Sequence, residues 1–99
     1  MVRKKEKFSR YDVVDYLKSE EDLAAYLEAC MEEAGDDAAY IAAALGDIAR
    51  ARGMAQLAKD TGISREGLYK ALSPEGNPSL ATVLKVVKAL GLKLTAKVA

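Results

Sequence analysis

The sequence predicts an all-α fold of five to six helices with a short C-terminal β-strand. Apolar residues recur at the i, i+3, i+4, i+7 spacing of amphipathic helices through most of the chain. Glycines and capping residues interrupt that rhythm at intervals of one short helix. Only from Leu92 onward does the pattern change to strict alternation, the period of a half-buried strand. With 99 residues, 51% of them hydrophobic and 30% charged, the chain suits a single compact domain with a modest core. Trp is absent and there is one Phe, so Leu, Val, Ile, Ala and five Tyr must fill that core.

Residues 1–8, opening MVRKKEK, are too polar to pack and read as a mobile tail. Residues 9–36 form an acidic helical segment. Within it, 9–17 carry Tyr11, Val14 and Leu17 at helical spacing and suit either a short helix or an extended arm. Ser19 and Asp22 then form a capping-box pattern. Leu23, Tyr26, Leu27, Cys30, Met31 and Ala34 make the apolar stripe that follows, opposite Glu20, Glu21, Glu28, Glu32 and Glu33. Gly35 ends this helix, and Asp36 or Asp37 caps the next, whose stripe is Ile41, Leu45 and Ile48 up to Gly53. Arg50 and Arg52 lie at its C-terminal end, where cations meet the negative end of the helix dipole; that role accounts for both.

Residues 37–99 read as a helix-turn-helix DNA-binding domain. The run MAQLAKDTGISREGLYKAL, Met54 to Leu72, suits two short helices crossing through a tight turn. Ala58 is small where the helices cross, and Gly62 supplies the left-handed residue that ends the first. Leu57, Ile63, Leu68 and Leu72 give the buried faces. Ser64 caps the second helix and leaves Arg65, Glu66, Tyr69 and Lys70 polar and placed for the major groove. Arg65 suits bidentate contact to guanine, Tyr69 and Lys70 reach bases or phosphates, and Gln56 touches backbone from the preceding helix. The loop SPEGNPS follows, with Asn77 and Ser79 at the start of the next helix as a second phosphate-contacting pair or simply as turn and cap. Leu80, Val83, Leu84, Val87 and Leu90 are expected to be buried there, and Gly91 stops the helix. The strand over 92–98 then needs a partner, from this chain or a second copy, for its backbone groups.

The block from Gly53 to Leu94 resembles the DNA-binding domain of phage repressors, the Xre type of helix-turn-helix. Its phrases GMAQLAKDTGISREGLYKAL and GNPSLATVLKVVKALGLKL, with YDVVDYLKSEEDLAAYL upstream, look like the antidote proteins of bacterial addiction modules, the HigA-like antitoxins encoded beside RelE-like or HigB-like toxins. The likeness runs from about Tyr11 to Leu94. It implies a lambda-repressor-like domain that binds operator double-stranded DNA, represses its own operon and neutralises its toxin by protein contact; a domain of this size covers one half-site, so a homodimer is expected, and with no apolar run long enough to span a bilayer a cytoplasmic location is expected. Gly67 departs from the pattern, in a place where a bulkier polar residue is expected. A prophage-type repressor without a toxin partner, and an interaction module that binds no DNA, remain the alternatives.

Charge supports a division of labour. Residues 1–36 carry six Lys/Arg against ten Asp/Glu, a net of −4, and residues 37–99 carry nine against five, a net of +4. The basic part is attracted to phosphates, whereas the acidic part suits a basic protein surface. Since RelE-like toxins act on RNA, the resemblance implies a basic toxin face, and the segment from Tyr11 to Glu33 is expected to contribute to covering it, with Glu28, Glu32 and Glu33 steering approach and apolar residues near Tyr11 and Tyr16 anchoring it. Catalysis and cofactors are not expected. There is no His, no Cys cluster for zinc, no Walker loop and no Gly-rich dinucleotide turn. The lone Cys30 falls on an apolar face and reads as a buried, reduced thiol. No apolar run approaches the roughly 20 residues that span a bilayer.

Overall fold

A computed structural model describes residues 14–99. They form helix α1 (Glu20–Ala34), α2 (Ala38–Arg52), α3 (Met54–Thr61), α4 (Arg65–Ala71) and α5 (Leu80–Ala89), and residues 14–16 ahead of them are also helical. Four starts are held by the side chains expected of them. Ser19 Oγ accepts the Asp22 N–H at 3.1 Å, and the Asp22 carboxylate in return accepts the Ser19 N–H at 3.1 Å, completing the capping box. Of the two aspartates ahead of α2, it is Asp37 that caps, accepting the Tyr40 N–H. Ser64 and Ser79 cap α4 and α5. The exception is α3, whose N-cap Gly53 has no side chain to offer.

The core gathers Leu45 and Ile48 of α2, Leu57 of α3, Leu68 and Leu72 at α4, and Val86 and Leu90 at α5, all at most 2% exposed. Burying each such side chain stabilises the fold by about 1.5–3 kcal/mol relative to leaving it exposed. α1 closes one side, setting Leu23 and Leu27 into this cluster against α2, and α3 packs on α2, α4 and α5. α2 is enclosed far beyond its predicted stripe, for every residue from Ala42 to Ala49 is buried. Its small side chains permit this, and Gly46 most of all: a Cβ there would overlap the Leu72 carbonyl oxygen.

Two expectations change. On α5 the buried residues are Val86, Val87 and Leu90, with Val83 half-buried, while Leu80 and Leu84 are 70% and 49% exposed. The apolar arc of this helix is wider than its contact with the core, and the contact lies to one side of it. The second correction is the C-terminal strand, for residues 92–99 adopt no regular structure and no strand forms among the described residues. Leu92 serves the helix end instead. With Gly91 left-handed (φ 79°), the Leu92 N–H donates to the Val87 carbonyl at 3.0 Å and its side chain packs on the core. Beyond it no neighbouring strand exists among the described residues to take up the ladder bonds.

Candidate nucleic-acid interface

α3 and α4 are joined by three residues, 62–64, and Gly62 has the left-handed conformation expected of it (φ 76°, ψ 9°). Leu57 and Leu68 hold the pair to the core while Ile63 and Ala58 pack at the joint. The opposite side is polar and open: Gln56, Ser64, Arg65, Glu66, Tyr69, Lys70, Asn77 and Ser79 are all exposed. Several already have local work. Ser64 Oγ accepts the Gly67 N–H at 2.9 Å, Ser79 Oγ accepts the Thr82 N–H at 3.1 Å, and Gln56 Nε2 donates to Asp60 Oδ1 at 2.9 Å. Gln56 must therefore leave Asp60, or share its amide, to touch a ligand.

Two shallow depressions flank α4. One lies between α4 and the following loop, lined by Gly67, Lys70, Ser73 and Asn77, and so unites Lys70 with Asn77. The other unites Arg65 and Tyr69 with Arg50 at the end of α2, beside Met54 and Ala55. Arg50 is a residue to which the sequence assigned only a helix-end role. Its guanidinium bonds to Asp47 Oδ1 at 3.1 Å, and Asp47, a buried carboxylate, accepts the Tyr26 hydroxyl on its other oxygen at 2.9 Å. Burial foremost, and then the Asp47 charge, push the Tyr26 phenol far up from its ordinary value, so it stays a donor.

α1 presents the acidic face. Glu28, Glu32 and Glu33 are exposed, as is Tyr16, 62% accessible, on the helical residues ahead of α1. Tyr11 lies outside the described residues. Glu33 accepts the Tyr40 hydroxyl at 3.1 Å, and the Tyr40 phenol is pushed up to about 12, chiefly by burial. Cys30 is buried beside Tyr26 and Tyr40, and burial raises its thiol. No group of side chains that could hold a metal ion occurs among the described residues.

A family model described as "Probable addiction module antidote protein" matches residues 7–98. The chain belongs to this antidote family. An uncharacterized protein of Haemophilus influenzae is 56% identical to it over 88 residues, covering 89% of each chain. No solved structure matches. An antidote implies a toxin as its partner. No helix among the described residues of this antidote is long and apolar enough to cross a membrane.

Proposed function

We propose that the chain is the antitoxin of a type II toxin–antitoxin module, binding operator DNA through α3 and α4 to repress its own operon and neutralising a RelE- or HigB-like toxin by protein contact. The observation that carries the reading is membership of the antidote family across residues 7–98. The polar, exposed face of α4 supports the DNA half of it, and the acidic face of α1 the toxin half. Arg65, Glu66 and Tyr69 meet base edges, Lys70, Asn77 and Gln56 meet phosphates, and Ser64 and Ser79 set the helices that present them. A domain of this size covers one half-site, so the working form is a homodimer.

The DNA half is tested by gel shift with the duplex upstream of the chain's own gene, against an unrelated duplex of equal length. Preferential binding of the first is expected, and equal or absent binding overturns operator recognition. For the toxin half, the small open reading frame beside the gene is expressed with and without the chain. Growth arrest relieved by the wild type is expected. Because Leu23 and Leu27 of α1 belong to the core, removing that helix would unfold the body; surface variants are the informative ones. Glu28→Lys with Glu32→Lys should weaken protection, chiefly by slowing association. Full protection by this variant would move the toxin contact off α1.

A further inference from the structure

We propose that Arg50 is a DNA-backbone contact, and that the depression it shares with Arg65 and Tyr69 receives one phosphate of the bound duplex. The inference rests on reading α4 as the DNA-facing helix, and it adds a residue from outside the α3–α4 pair. The depression encloses about 750 Å³ and is open to solvent at the flank of α4. Arg50 lines it beside Arg65 and Tyr69, and the Arg50 guanidinium carries N–H donors that match the oxygens of a phosphodiester. Arg65 makes no ion pair among the described residues, so its fork stays available for the neighbouring base edge while Arg50 takes the phosphate.

The way Arg50 is held argues that it does more than close a helix. A cation at a helix C-terminus gains from the dipole wherever its side chain wanders. Arg50 is instead pinned: Asp47, only 4% exposed, bonds it at 3.1 Å and is itself fixed by the Tyr26 hydroxyl at 2.9 Å. One terminal nitrogen is engaged there, and the guanidinium has further N–H donors to aim into the depression. Pinning the side chain in advance reduces the entropy lost when a phosphate binds. Arg52, two residues on, turns to Glu20 of α1 at 3.5 Å and does not line the depression. One carboxylate opposes the assignment, since Asp15 also lines the rim. It is exposed and must turn toward solvent as the phosphate enters.

The experiment measures affinity against salt for the full chain, using the duplex upstream of its own gene and the unrelated duplex. Each phosphate contact contributes about 0.9 to the slope of log K on log salt. Arg50→Gln should lower that slope by about this amount and weaken both duplexes by the same factor, leaving their ratio unchanged. Arg50→Gln strands a buried carboxylate, so the paired variant Asp47→Asn with Arg50→Gln is measured beside it. This pair keeps a hydrogen-bonding partner for Tyr26 and leaves net charge unchanged, so a lower slope in it reports the contact rather than overall charge. A paired variant that is folded by circular dichroism and keeps the wild-type slope overturns the assignment and leaves the DNA reading standing. A wild type that binds neither duplex overturns both.

Discussion

Asp47 sits where the acidic helix is registered on the rest of the molecule, and its surroundings show why single residues here resist reading by pattern. It lies between Leu45 and Ile48 in an otherwise apolar helix, and the carboxylate is tolerated because a phenol and a guanidinium satisfy both oxygens. The signal was present: one carboxylate inside the run AAALGDIA, with an arginine three residues later. Period alone gives no way to know that Tyr26, twenty-one residues upstream, completes the set. The α4 residues are different, because a helix that buries Leu68 and Leu72 must expose 65, 66, 69 and 70. From them a prediction follows at this scale. Arg65→Ala should lose about 1–3 kcal/mol of specific binding and relax preference at one position of the operator, whereas Lys70→Ala should weaken all sequences alike. Quantitative gel shifts on a set of single-base operator variants distinguish the two. If both folded variants bind as the wild type does, α4 is not the reading helix.

At the scale of elements, helix starts were legible and helix faces only partly so. A cap is a local device: Ser19 and Asp22, Asp37, Ser64 and Ser79 each act within four residues of themselves. Which side of α5 is buried depends on where α3 lies, and Leu80 and Leu84 suit the helical rhythm as well as Val83 and Val86 do. The capping box carries a pH dependence. The Lys18 backbone N–H, with smaller help from Ser19, holds the Asp22 carboxyl below its ordinary 3.8. A depressed value in the folded state means that the stabilisation is present above the ordinary value and is lost as pH falls through the depressed one. Thermal melts from about pH 4 downward should therefore show a smaller loss of Tm for Asp22→Asn than for wild type. Where α2 meets the end of α4, Gly46 leaves no room for a methyl group beside the Leu72 carbonyl. Gly46→Ala should lower stability by about 1–3 kcal/mol, despite the better helix propensity of Ala, read as a fall in the urea midpoint. An unchanged or higher midpoint would mean that the two helices are not in contact there.

On the scale of the whole molecule, Leu80, Leu84, Leu94 and Val98 are apolar side chains that the described residues leave open, each at least 44% exposed. Leu92, Leu94, Ala96 and Val98 alternate with Lys93, Thr95 and Lys97, yet the strand expected from that alternation does not form, and no strand lies beside it among the described residues. A second copy would supply an identical segment for it to pair with and, on the proposed DNA reading, would set the two copies of α4 about 34 Å apart on an inverted repeat. A chain ending after Leu92 keeps the stop of α5 intact, and sedimentation is expected to find the full chain dimeric and this truncation monomeric. A dimer that survives this truncation would place the interface elsewhere. Gly53, finally, joins two helices with a single residue: its N–H closes α2 on the Ala49 carbonyl at 2.8 Å, and its own carbonyl opens α3 by accepting the Leu57 N–H at 3.0 Å. Neither helix can unravel at this junction without disturbing the other. The amides on both sides of Gly53 should then exchange with deuterium as one cooperative unit, so that the α3–α4 pair borrows the persistence of α2, the most enclosed of the described helices.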